Sequence, residues 1–151
     1  MRSSRRSPTL VLAVALLAAC APRRPQVAGS VPDLDGFLTA HPLAPGEPLR
    51  ADEVGRTASA SYHIVQVVRG EEPHRHLVHD LTLVVLRGRG VLVIGSERFA
   101  VRAGDAAVIP RATPHALVNE ERAPAVTLAI FSPPLDAPDR APAFDSSGTA
   151  R

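Results

Sequence analysis

A short run of the sequence concentrates side chains that bind metals: His74, His76, His79 and Asp80. In a β-strand, side chains two residues apart share one face, with Cα atoms about 6.6 Å apart, so His74 and His76 point the same way. Regular alternation continues to Asp80 but not to His79. Imidazole nitrogen together with carboxylate oxygen suits a divalent transition metal such as Mn, Fe, Zn, Ni or Cu. The spacing therefore predicts a metal site that needs one more protein ligand.

The chain that must position these ligands has the composition of one small domain. Its 151 residues are 45% hydrophobic and 21% charged, which is enough for a single core. The 15 prolines, 10 glycines and repeated runs of Val, Ile and Leu favour short strands over long helices. Aromatic residues make up only 3%, so we expect an aliphatic core.

Apolar runs separated by turn residues predict an all-β fold. Beyond the histidine-rich strand, we predict strands at 58–69, 81–86, 91–94, 97–102, 106–109, 115–119 and 125–131. Strands of this length, with a turn every eight to twelve residues or so, are typical of an antiparallel sandwich or barrel. His115 begins one of the strands, and an antiparallel barrel can bring that strand to face His74. His115 is therefore the candidate for the remaining ligand.

The residues around His115 resemble the second motif of the cupin family. That motif is glycine, five residues, proline, one residue, glycine, two residues, histidine, three residues and asparagine. Gly104, Pro110, His115 and Asn119 meet every spacing, and Ala112 stands where glycine is usual. The resemblance implies a single antiparallel β-barrel of the jelly-roll type that holds a divalent metal.

The first cupin motif is matched less closely. His74 and His76 match its histidine pair, and Asp80 falls where the family has glutamate. Seven residues separate Asp80 from Gly88 where the family has six, and a β-bulge would supply the extra residue. Such a bulge could bring Asp80 nearer the metal, or it could turn His79 inward in place of Asp80. We favour Asp80, so the ligand set expected from the resemblance is His74, His76, Asp80 and His115. The resemblance covers residues 58–131, which are the expected barrel.

The first nineteen residues have the features of a secretory signal. Three arginines within the first six residues form a basic region, and ten apolar residues follow from Leu10 to Ala19. Ten apolar residues are too few to cross about 30 Å of hydrocarbon. With Leu17 and the only cysteine, Cys20, the segment resembles a bacterial lipoprotein signal peptide, which implies a lipid on Cys20. The alternative is an ordinary secretory peptide cut beside Cys20.

These features predict four regions. They are a lipoprotein signal peptide over 1–19, a lipid-attached tether and N-terminal extension over 20–57, the barrel over 58–131 and a flexible tail over 132–151. Within the extension, Asp33 is the expected N-cap of a short helix that runs to Ala40. We expect the protein outside the cytoplasm, in the bacterial cell envelope, anchored to either membrane through its lipid.

The charge of the mature chain argues against nucleic acid as a partner. Without the signal peptide, 14 of the 17 arginines remain against 15 acidic residues, a net charge of about −1. Binding to phosphate backbones depends on an excess of basic residues. The expected ligand is therefore a small molecule.

The cupin resemblance leaves two functions open. Four protein ligands on a metal leave one or two positions for water, oxygen or a small ligand. The protein would then be an oxygenase or isomerase acting on a small oxygen-rich molecule, or a lipoprotein that binds a metal or small molecule without reaction. The sequence singles out no general base or nucleophile.

The strand over 81–86 is apolar on both of its faces, whereas the wall of a single barrel needs only one apolar face. Either residues 31–49 cover the second face within the same chain, or a second copy does. We expect a homodimer.

Overall fold

The computed structural model describes residues 33–143, which form two five-stranded antiparallel sheets and one short helix. The helix is α1 (Leu34–Ala40). The strands are β1 (Leu49–Arg56), β2 (Ser61–Val67), β3 (His74–His76), β4 (Asp80–Arg87), β5 (Arg89–Ile94), β6 (Glu97–Arg102), β7 (Ala106–Ile109), β8 (His115–Asn119), β9 (Ala125–Ser132) and β10 (Arg140–Pro142).

The two sheets face each other as a jelly roll. The first has the strand order β1-β2-β9-β4-β7, and the second has the order β10-β3-β8-β5-β6. Because the chain passes repeatedly from one sheet to the other, ligands close in sequence need not lie in the same sheet. The predicted all-β, antiparallel barrel fold is confirmed.

Aliphatic side chains from both sheets fill the space between them. Alternate residues of β4 point inward, with Leu81, Leu83 and Val85 each 6% exposed or less. Leu92 and Leu117 of the second sheet pack against the same cluster. As the composition predicted, aliphatic side chains dominate this core, which stabilises the fold by removing apolar surface from water.

The short helix begins where the sequence predicts. The Asp33 carboxylate accepts hydrogen bonds from the backbone amides of Asp35 and Gly36, both at 3.2 Å, which confirms Asp33 as the N-cap. After the helix, the His41 carbonyl accepts a hydrogen bond of 2.8 Å from the side chain of Gln66. Gln66 projects from the outer face of the first sheet, so the helix is attached to that face.

The barrel includes more of the chain than the predicted residues 58–131. Strand β1 lies within the predicted extension, and β10 lies within the predicted flexible tail. The prediction of a flexible tail is wrong for residues 132–143, because hydrogen bonds to distant residues fix them. The Leu135 amide donates to the Ser61 hydroxyl at 2.9 Å, and the Ala143 amide donates to the Pro73 carbonyl at 3.2 Å.

The predicted signal peptide, Cys20, most of the predicted tether and residues 144–151 lie outside the described residues. Within residues 33–143, no helix has the length and apolar character needed to span a membrane.

The outer face of the first sheet is apolar, as predicted from β4. The strand register aligns Val108, Thr82, Ile130 and Tyr62 in one row across four strands. The next row contains Ala106, Val84, Leu128 and Ile64. Val108 is 69% exposed, so the helix covers only part of this face.

We expect a second copy of the chain to cover the exposed part of this face. Light scattering on the chain from Val31 onward, which lacks Cys20, should give the mass of a dimer. Val108→Glu should lower that mass to the monomer, because an unpaired charge is costly to bury. The matched control is Phe99→Glu on the second sheet, where Phe99 is 43% exposed. A monomeric parent, or a dimer that survives Val108→Glu, would contradict this assignment.

Candidate metal centre

Three of the predicted ligands meet between β3 and β8. His74 and His115 are direct partners in the antiparallel register, and His76 lies two residues further along the same face of β3. The ring centroid of His74 lies 4.4 Å from that of His115 and 5.2 Å from that of His76. One donor atom from each of the three residues lies within 4.8 Å of the others. This spacing suits a single metal ion.

Hydrogen bonds orient two of these rings. The Nδ1 of His74 donates to the Glu72 carbonyl, and the Nδ1 of His115 donates to the Thr113 carbonyl, both at 2.9 Å. A carbonyl only accepts, so the proton is on Nδ1 and the lone pair of each ring is on Nε2. A carbonyl that fixes the ligating tautomer in this way is common at metal sites.

Two buried imidazole nitrogens have no hydrogen-bond partner among the described residues. They are the Nε2 of His115 and the Nδ1 of His76. A buried polar atom without a partner destabilises the folded state and calls for an explanation. A divalent transition metal would supply a partner for an unprotonated nitrogen, so the residues present fit such an ion.

The three imidazoles are held in the neutral form that binds metals. Burial, followed by the proximity of His115, lowers the pKa of His74 to about 3 and that of His76 to about 4. Burial also lowers the pKa of His115. Protons therefore compete weakly with a metal at neutral pH.

The other members of the second motif organise the backbone around the site. Ala112, where the family has glycine, has a positive φ of 62°, and its amide donates to the His76 carbonyl at 2.6 Å. Glycine reaches this conformation more easily, which explains the usual preference. Asn119 is buried and donates to the carbonyls of Val68 at 2.9 Å and Ala123 at 2.8 Å. Both residues act through the fold and not as ligands.

Asp80 is not part of this cluster, so its place in the predicted ligand set needs correction. Strand β3 ends at His76, and Asp80 begins β4 in the opposite sheet, which interrupts the alternation on which the prediction rested. The Asp80 carboxylate is 44% exposed and forms an ion pair with Arg111 at 2.9 Å. Hydrogen bonds from Arg111 lower the pKa of Asp80.

His79, the alternative to Asp80, is also engaged elsewhere. Its Nδ1 donates to the Asp139 carboxylate at 2.5 Å, and its Nε2 lies 3.2 Å from the Pro134 carbonyl. Both ring nitrogens are therefore engaged by oxygens outside the cluster of three histidines. The predicted bulge is present, but the register of β4 shifts between Val85 and Arg87, far from either candidate.

Asp139 is a residue that sequence reasoning missed. Besides His79, its carboxylate accepts from the backbone amides of Leu77 at 3.1 Å and Val78 at 2.9 Å. Burial alone would raise the pKa of Asp139, but the hydrogen bonds from His79 and the amides outweigh it and bring the pKa to about 2. This contact ties the segment before β10 to the turn that follows β3.

A cavity of about 180 Å³ opens beside the three histidines. Its wall is largely aliphatic, with Phe131 packed edge-on against His76 at a centroid distance of 4.9 Å. The cavity is also lined by Glu71 and Arg140, neither of which the sequence singled out. Their positions follow from a turn and from a three-residue strand, which carry little periodic signal.

Glu71 and His63 both line the cavity but differ in role. Glu71 is 11% exposed in its side chain and lies 3.6 Å from the Nδ1 of His74, and burial raises the pKa of its carboxyl. The Nε2 of His63 makes a hydrogen bond of 2.9 Å with the Ser61 hydroxyl, which gives this histidine a structural role. Glu71 is thus the one acidic side chain on the cavity wall among the described residues.

Comparisons with known proteins agree with this architecture. The sequence profile described as Cupin domain (Cupin_2) matches residues 62–131. An uncharacterised protein from Aquifex aeolicus is 37% identical over 93 residues, covering 62% of this chain and 76% of that protein. KdgF from Halomonas sp. is 28% identical with a TM-score of 0.53, over 57% of this chain and 79% of that chain. TT1209 from Thermus thermophilus is 25% identical with a TM-score of 0.54, over 59% of this chain and 87% of that chain.

His76→Ala should weaken zinc binding by more than about tenfold, because even the loss of a group that only orients a ligand has an effect of that size. Zinc content after dialysis, measured by elemental analysis, gives the result, and the melting temperature shows whether the barrel stays folded. Asp80→Asn is the matched control and should keep the zinc content of the parent. Undiminished zinc in His76→Ala, or zinc loss in Asp80→Asn, would contradict the assignment.

Proposed function

The chain belongs to the cupin family, and from this we propose that it holds one divalent transition metal and binds a small oxygen-rich molecule beside it. The proposed ligands are His74, His76 and His115. The observation that carries the proposal is the convergence of three imidazoles in a cavity where two ring nitrogens lack hydrogen-bond partners among the described residues.

Three imidazole ligands suit Mn, Fe, Zn, Ni or Cu. Such metals accept about four to six ligands, so one to three positions remain for water, oxygen or a small ligand. A bound metal would act there as a Lewis acid or as a centre for oxygen chemistry. The residues of the chain would position the molecule and limit the access of water.

A catalytic role, as an oxygenase or isomerase, is supported by Glu71. Its carboxyl group lines the same cavity as the proposed ligands and is buried. A buried carboxyl group with a raised pKa is suited to proton transfer with a bound molecule. The second candidate is binding without reaction, which is favoured by an aliphatic wall that offers few other polar groups.

The purified chain loaded with Fe(II) discriminates between these roles. An oxygenase should consume oxygen when a diol, an enediol or a hydroxy acid is added, and His76→Ala should abolish the uptake. Proton NMR of the same mixtures would detect an isomerised product. A molecule that binds in the loaded protein without oxygen uptake or product formation would rule out catalysis on that molecule and support the binding role.

We also propose that the cupin domain is displayed at a bacterial membrane by a lipid on Cys20. The support is the pattern of the first twenty residues alone. The polar, proline-rich residues that follow are suited to an extended tether. The domain would then meet its ligand outside the cytoplasm.

Metabolic labelling with palmitate tests this location. The parent should incorporate the label, and Cys20→Ser should not, because acylation requires the thiol and the chain has 1 cysteine. Equal labelling of both proteins would reject the lipid anchor, and an unlabelled parent would indicate an ordinary secretory signal.

A further inference from the structure

None of the three side chains that form the candidate metal centre carries a negative charge. The cluster consists of imidazoles alone, and the carboxylate of Asp80 is paired with Arg111 outside it. A divalent ion bound there would keep its full charge, which the incoming ligand or water must balance. In a buried site with a low effective dielectric, that charge favours an anion over a neutral molecule.

Arg140 adds a second positive charge to the same cavity. It is the only basic residue on the cavity wall within residues 33–143, and it is the direct strand partner of His76 in the register of β10 and β3. Its Nη2 donates to the Glu72 carbonyl at 2.9 Å, which holds the guanidinium near β3. That bond leaves most of the guanidinium N–H groups for other acceptors.

No acidic side chain among the described residues forms an ion pair with Arg140, although its charge lowers the pKa of the Glu71 carboxyl against the larger effect of burial. Arg111, by contrast, is paired with Asp80, and Arg56 is paired with Glu53. Arg140 lines the same cavity as His74, His76 and His115. The guanidinium is therefore within electrostatic reach of all three rings.

We propose that the small molecule taken by this cavity is an organic monocarboxylate with a neighbouring oxygen donor, such as a hydroxy acid, and that Arg140 binds its carboxylate. The proposal rests on the metal site proposed above, because the neighbouring oxygens would occupy open metal positions. A planar guanidinium matches a carboxylate through paired hydrogen bonds.

The cavity favours a single anionic group. Apart from the histidines, only two ionisable side chains of the described residues line it: Arg140 and Glu71. A second anionic group placed away from the metal would therefore find no second cationic side chain. The volume of about 180 Å³ also limits the ligand to a small molecule.

Calorimetric titration of the zinc-loaded chain with glycerate and with its neutral amide, glyceramide, tests the inference. Zinc lacks redox chemistry, so binding is measured without turnover. Glycerate should bind the parent more than about tenfold more tightly than glyceramide, as expected for a hydrogen-bonded charge pair. Arg140→Gln should reduce this preference to the part that the charge of the metal supplies, and Arg140→Lys should reduce it less. The matched control, Arg111→Gln, should keep all of it.

The comparison of glycerate with glyceramide uses only the parent protein, so it tests the inference even if Arg140→Gln fails to fold. Equal binding of the two compounds, an unchanged preference in Arg140→Gln or a lost preference in Arg111→Gln would overturn the role of Arg140. Zinc content is measured first in every sample. A parent that takes up no zinc would overturn the proposed metal site and this inference with it, whereas a zinc-loaded parent that ignores glycerate would overturn this inference alone.

Discussion

The candidate metal centre depends on one antiparallel pairing, between His74 on β3 and His115 on β8. Directly paired residues project from the same face of a sheet, so the pairing places two imidazoles side by side. His76 joins them because β3 is three residues long and its two ends share that face. Two contacts hold this short strand between its neighbours. The Ala112 amide donates to the His76 carbonyl on one side, and β10 pairs with β3 on the other.

Much of the fold could be predicted because it depends on local patterns. The presence of apolar side chains on both faces of β4 follows from its sequence, and the Asp33 cap follows from the preference of aspartate for that position. The histidines could be predicted because two of them share a strand face and the third begins another strand at the spacing of a known motif. Strands β6, β7 and β8 have the predicted bounds, since turn residues flank each one.

The sequence could not predict contacts that arise only when distant segments meet. Asp80 was misplaced because the chain leaves the second sheet at His76 and enters the first, a crossing that alternation does not reveal. Strands β1 and β10 lack an apolar period, so their residues were placed in an N-terminal extension and a tail. Asp139 and Arg140 were missed for the same reason, although they fix the turn after β3 and line the cavity.

The central claim is that three neutral imidazoles, without a carboxylate from Asp80, hold the metal. X-ray absorption at the zinc edge measures this most directly, because imidazole rings give a distinct pattern of outer-shell scattering. The account predicts three imidazoles per zinc at about 2.0–2.1 Å, completed by light donors from solvent, and the same spectrum in Asp80→Asn. Two or fewer imidazoles per zinc, or a spectrum that changes when Asp80 is altered, would contradict it.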